Sequence, residues 1–168
     1  MTIIRTNHKQ IEIRTADERD LEQIIKLWHE LMNETHDPFF TLKPNAEEIE
    51  HKFLKDCISS NDSIVYVAVE SGNVFGYVLC TINKRPPFYV VEDTGLISAI
   101  YVQKDKRHQG VGKALVTQAM HWFKKKGLKN VEVAVLVENE KGVEFWNKLG
   151  FETYLIRERK FIGKNGNT

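Results

Sequence analysis

Apolar residues recur along this chain at two spacings, every second position and every third or fourth, and the changes between them lay out its elements. Ile11-Glu12-Ile13-Arg14 alternates as a half-buried strand does. Thr15 or Asp17 then opens a helix, because Leu21, Ile24, Ile25, Trp28, Leu31 and Met32 share one face. A second helix over 46–57 carries Ile49, Phe53 and Leu54. Runs at 64–69 and 74–82 read as strands, and Ser71-Gly72-Asn73 between them predicts a hairpin turn. A loop over 83–94 with Pro86-Pro87 precedes a strand at 96–102. Leu115, Ala119, Trp122 and Phe123 mark a third helix that Gly127 ends. Residues 131–137 form a strand by their β-branched content, and Asn139 caps a short helix over 140–149 that Gly150 stops. Residues 151–162 read as one or two closing strands, and 164–168 as a polar tail.

Composition narrows the class without naming a function. The 168 residues suit one domain with a single core, and 42% are hydrophobic. A formal net charge of +1 gives no electrostatic case for nucleic acid or membrane partners. Lys124, Lys125, Lys126 and Lys129 form one basic run, which suits cations relieving the dipole at a helix C-terminus. No apolar run approaches membrane-spanning length, and no leader-like segment opens the chain. Cys57 and Cys80 fit no redox or metal spacing and read as buried thiols in a reducing, cytoplasmic setting. The six histidines are scattered, with no pair spaced for a metal, so none is expected. A G-x-S-x-G nucleophile elbow is missing too.

The chemistry is carried by Arg107-His108-Gln109-Gly110-Val111-Gly112-Lys113, between the strand at 96–102 and the third helix. A helix start offers unpaired N–H groups and a favourable dipole to an anion, and glycines let it approach the backbone. A bound pyrophosphate is the natural expectation. The dinucleotide fingerprint fails because Leu115 stands where its third glycine belongs. The P-loop fails because Ala114 follows Gly112-Lys113.

What remains is Arg107-x-x-Gly110-x-Gly112, of the form [QR]-x-x-G-x-[GA]. Further on stands Asn139-x-x-Gly142-x-x-Phe145-Trp146-x-x-Leu149-Gly150-Phe151, close to N-x-x-A-x-x-[FL]-Y-x-x-x-G-F. In this order the two runs resemble the acetyl-coenzyme A signatures of the GNAT superfamily of N-acetyltransferases. The resemblance implies an α/β (α+β) fold in a single domain over 1–168. Its mixed sheet would have about six to seven strands, splayed centrally after Ile100 and flanked by about four helices. It implies a cofactor core over about 95–151 and acceptor-pocket segments at about 30–45 and 83–94.

On that resemblance, acetyl-CoA is the cosubstrate and a primary amine of a small molecule or protein is the acceptor, attacking directly in a ternary complex. The pantothenate arm would bond the backbone of Ile100 and Val102, on either side of Tyr101. The pyrophosphate would sit on the N–H groups of His108, Gln109, Gly110, Val111, Gly112 and Lys113. At least one of Arg107 and Lys113 would touch phosphate or ribose. The N–H of Val102 would stabilise the oxyanion. Glu92 or Asp93, just before the cofactor strand, would serve as base. His36, Asp37, Phe39 and Phe40 would shape a mouth for a cationic amine, with Phe88 opposite. Asn139 and Trp146 would complete the cofactor site. Trp146 stands where many relatives have tyrosine, and indole does not ionise usefully, so water, Tyr101 or Tyr154 would protonate the thiolate. Gly142 replaces the usual alanine. A homodimer is compatible with all of this, and the alternative function is a non-catalytic acyl-CoA-binding sensor of the same fold.

Overall fold

The computed structural model describes residues 2–6, 9–35, 42–91, 93–160 and 162. They divide into two units, Met1–Leu136 and Val137–Thr168. The first holds one sheet of six strands that lie side by side in sequence order. These are β1 (Thr2–Thr6), β2 (Lys9–Thr15), β3 (Ser63–Glu70), β4 (Asn73–Lys84), β5 (Asp93–Val102) and β6 (Val131–Val133). Every neighbouring pair is antiparallel except β5 and β6. The turn from β3 to β4 places Ser71 and Gly72 both at positive φ, 51° and 82°, which matches the twist of a two-residue hairpin.

Helices cover both faces. Helix α1 (Leu21–Glu34) and helix α2 (Ala46–Ser59) share a core with β3, β4 and β5. Ile24, Leu27, Leu54, Val65, Val67, Tyr77 and Leu79 are all essentially sealed from water there. Each such side chain contributes on the order of 1.5–3 kcal/mol. Helix α3 (Val111–Lys125) buries Leu115, Ala119 and Phe123.

The row of register partners Ser63, Thr81, Leu96 and Glu132 runs across β3 to β6, and partners in a row share a face. Ser63 Oγ donates to the carbonyl of Cys57 in α2 at 2.7 Å, so this row lies on the α1/α2 face. The adjacent Gly95 faces α3, since a Cβ there would stand 2.6 Å from the Phe123 ring.

Four differences from the sequence reading have physical causes. Strand β1 precedes the expected first strand; it is a short edge strand whose Ile3 is 44% exposed, so burial never patterned it. The chain enters α1 through a 3-10 turn, Glu18–Asp20, with Asp17 as cap and the Asp20 carboxylate returning to the Asp17 N–H at 2.9 Å. Arg14 grips the same carboxylate at 2.6 and 2.8 Å, fixing β2 to this turn. The expected strand over 131–137 ends at Val133, and the parallel ladder stops at the pair Ile97 and Val133, so the sheet forks three residues earlier than Ile100.

In the second unit, helix α4 (Glu140–Lys148) forms as expected, but described residues 151–160 contain no strand, and Tyr154, Leu155 and Ile156 are exposed. An apolar run becomes a strand only with a ladder partner, and the described part of this unit supplies none. No helix among the described residues is long and apolar enough to cross a membrane.

Candidate active site

The fork between β5 and β6 is shaped by one residue. Ala99 to Val102 pair with Leu79 to Gly76, and Ile97 pairs with Cys80, which leaves Ser98 without a partner in a bulge. Successive peptide groups in a ladder point to opposite edges. Before the bulge, the Gly95 N–H points towards β6 and donates to Asn130 at 2.9 Å. After it, the Gln103 N–H points to β4 and donates to Phe75 at 2.9 Å. Both residues are odd-numbered, so the bulge has switched the alternation. Ile100 and Val102 therefore turn their peptide groups to the edge that β6 has left.

That edge runs into the glycine loop. After Gln103 come a 3-10 turn, Lys104–Lys106, then His108 at φ 62° and Gly110 at φ 80°. Gly110 is the N-cap of α3, and no side chain caps it. The first intrahelical bond is Ala114 N–H to the Gly110 carbonyl at 3.0 Å, so the N–H groups of Val111, Gly112 and Lys113 have no intrahelical partner. Buried Val111 fixes this turn while Lys113 stays exposed. The loop is an anion cradle by geometry.

Arg107 is turned away from that cradle. Its Nε donates to the Val102 carbonyl at 2.8 Å, and its Nη2 meets the Glu34 carboxylate at 2.9 and 3.0 Å. The same carboxylate accepts from the Tyr101 hydroxyl at 2.6 Å and lies 3.6 Å from Lys104 Nζ. Burial and the neighbouring Glu34 and Glu30 carboxylates push the Tyr101 phenol well above its usual value. Its proton is committed to Glu34, which weakens it as a donor to a thiolate. Glu34 escaped the sequence reading because nothing in a helical run marks the residue that will meet a loop seventy positions on.

The other expected residues are placed unevenly. Glu92 and the acceptor loop residues His36, Asp37, Phe39 and Phe40 lie outside the described residues. Asp93 opens β5 opposite Lys84, roughly 14 Å of strand short of the fork. Phe88 is 78% exposed and packs on Tyr89 with ring centroids 4.8 Å apart. A different carboxylate stands at the fork: Glu132, held by the Arg85 guanidinium. On the same face of the sheet, the Thr81 and Ser98 hydroxyls are 3.0 Å apart.

In the second unit, Asn139 is occupied as the cap of α4, its Oδ1 accepting from the Gly142 N–H at 3.0 Å. A Cβ on residue 142 would lie 2.6 Å from that side chain, so Gly142 makes room for the cap. Trp146 is buried, with the rings of Phe145 and Phe151 edge-on at 5.0 Å. Cys57 and Cys80 are free and buried, and burial pushes the Cys80 thiol up to about 12. Among the described residues no cluster of three metal-ligating side chains occurs.

A forked sheet beside a glycine-rich helix start defines a class, and the comparisons give it a name. Residues 28–151 match the acetyltransferase (GNAT) family, and the chain belongs to it. It is similar to an uncharacterized N-acetyltransferase of Methanocaldococcus jannaschii, 36% identical over 46% of this chain and 39% of that protein, so the match spans about two fifths of the relative. It is similar to a spermidine N(1)-acetyltransferase of Thermoplasma acidophilum, 23% identical over 84% of this chain and 88% of that one. Among solved structures, an aminoglycoside N-acetyltransferase in complex with CoA shares the fold with a TM-score of 0.72. It is 19% identical, over 94% of this chain and 99% of that one.

Proposed function

We propose that this protein transfers acetyl from acetyl-CoA to a primary amine by direct attack within a ternary complex. The observation that carries the reading is the continuity of the fork with the cradle. The backbone edge that β6 leaves, with the N–H groups of Ile100 and Val102, leads to the uncapped N–H groups of α3, while the Val102 carbonyl is taken by Arg107. An extended arm bearing amides suits the first, and a pyrophosphate suits the second.

The residues divide the work by position. The N–H groups from His108 to Lys113 hold the pyrophosphate, and the Val102 N–H with the Ile100 peptide groups holds the arm as an added strand. The acyl end then falls beyond Ile100, towards the Ser98 bulge. This moves the oxyanion donor from Val102, beside the loop, to the N–H of Ile100. Attack by the amine nitrogen forms the C–N bond and places negative charge on the carbonyl oxygen facing that N–H. Collapse breaks the C–S bond, and the thiolate takes a proton from water. Arg107 supports the loop from behind, through Val102 and Glu34, and does not touch phosphate. The similarity to a spermidine N(1)-acetyltransferase supports a cationic amine as the acceptor class. Two buried free thiols suit a cytoplasmic setting. Calorimetry with acetyl-CoA and with free CoA tests the cofactor half: micromolar binding abolished by Gly112→Val supports it, and no binding to wild type refutes it.

A further inference from the structure

The transfer needs something that the backbone does not provide, an acceptor for the N–H bonds of the incoming amine. A primary amine arrives largely as ammonium at neutral pH, and its lone pair must be freed and aimed at the carbonyl carbon. Strand β5 offers no carboxylate near the fork: Asp93 is four positions short of Ile97, and the strand residues that follow it up to Ser98 are Thr94, Gly95, Leu96 and Ile97. The adjoining strand does. Glu132 stands opposite Leu96, one pair before the ladder ends at Ile97 and Val133.

Three features place this carboxylate at an acceptor site. It shares the α1/α2 face with Leu96 and Thr81, as the row to Ser63 and Cys57 establishes. That is also the face of Ser98, whose hydroxyl meets Thr81 at 3.0 Å and which is itself exposed. Its side chain is 21% exposed, a shielded position for an acid, and Arg85 fixes its direction through Oε1. Among the described residues no other donor meets this carboxylate, which leaves Oε2 as an acceptor. An ionised carboxylate only accepts, and a hydroxyl can do either. Glu132 and the Thr81–Ser98 pair, on one face of the forking sheet, offer a carboxylate and hydroxyl oxygens to the N–H bonds of a primary ammonium.

Resting on the acetyl-transfer reading, we propose that Glu132, oriented by Arg85 and assisted by the Ser98 hydroxyl, is the acceptor-amine subsite of this protein. It holds the amine beside the Ser98 bulge, and the departing proton leaves through water on the exposed side of Ser98. The ligand class is a primary amine, whose N–H bonds a carboxylate and a hydroxyl can accept.

Steady-state kinetics on Glu132→Gln, with the best amine found for wild type, test this. The amine KM should rise about tenfold or more, the scale of a lost hydrogen bond to a charged group. The acetyl-CoA KM should stay within twofold and the melting temperature within a few degrees. An unchanged amine KM in a folded variant overturns the proposal. So does a parallel rise of both KM values with a fall in melting temperature, which would make Arg85–Glu132 a purely structural tie. Should Glu132→Gln not fold, Ser98→Val, at an exposed bulge position, carries the test: its amine KM should rise at least threefold with acetyl-CoA binding intact, and no change overturns the subsite. Wild type that turns over no amine refutes the acetyl-transfer reading itself, separately from either variant.

Discussion

Arg107 and Glu34 face each other at 2.9 Å, so the loop that would carry the pyrophosphate is tied to the last turn of α1. Burial alone would raise the Glu34 carboxyl, but the Tyr101 hydroxyl, Arg107 and Lys104 outweigh it and hold it below its usual 4.5. A carboxyl depressed by folding stabilises the folded state above its unfolded value, and that contribution is lost as pH falls through the folded value. Glu34→Gln should therefore melt lower than wild type at pH 7, and the two curves should converge below about pH 4.5. Because the pair is partly solvated, the gap at pH 7 should be about 1 kcal/mol at most. Thermal melts across pH 3–8 check this, and an offset independent of pH would deny the carboxylate its part.

Gly110 and Gly112 should fail differently. Gly110 sits at φ 80°, where a side chain costs about 1–2 kcal/mol of backbone strain. Gly112 lies in the first turn of α3, where valine is conformationally tolerated. Gly112→Val should keep its melting temperature within a few degrees and lose acetyl-CoA binding by calorimetry. Gly110→Val should lose both stability and binding. Wild-type affinity in Gly112→Val would remove the cradle from the account.

Gly95 and Phe123 set the distance between β5 and α3. A methyl on residue 95 would meet the Phe123 ring at 2.6 Å, in a part of the core with no slack. Gly95→Ala should cost about 1–3 kcal/mol, as overpacking does, read as a shift of the denaturation midpoint. A neutral result would mean that α3 does not lie as close to the fork as described.

The strand and helix periods make most of the sheet and the four α-helices of the described residues legible, because burial writes itself into the spacing of Ile11 and Ile13 or of Leu115, Ala119 and Phe123. The glycine loop was legible because its backbone needs glycine at Gly110 for conformation. Pairing is not written in a local pattern. Residues 151–160 have the apolar content of a strand without a partner, and 131–137 lost its last four residues where the sheet forks. Contacts across many residues were equally hidden. Glu34 to Arg107 and Arg85 to Glu132 each depend on how separate elements meet. Gly142 shows in the sequence only as a departure from the usual alanine, and the structure gives it a steric part, room for the Asn139 cap.

Trp146 packs between Phe145 and Phe151 and has no ionisable group. Trp146→Phe should keep turnover within about threefold and leave the pH profile unmoved, apart from a packing cost of order 1 kcal/mol. Collapse of turnover with acetyl-CoA binding retained would give the indole N–H a direct part in the reaction.

Acetyl transfer to an amine can be read in a single assay. Wild-type protein is incubated with acetyl-CoA and a panel of primary amines, including spermidine, an aminoglycoside and a lysine peptide. Free thiol and acetylated amine are then quantified together. Amine-dependent thiol release in equal amount to acetylated product is expected for at least one cationic amine. Tight binding of acetyl-CoA with no thiol release above the amine-free control, for any member of the panel, would contradict it and leave a protein that binds acyl-CoA without transferring it.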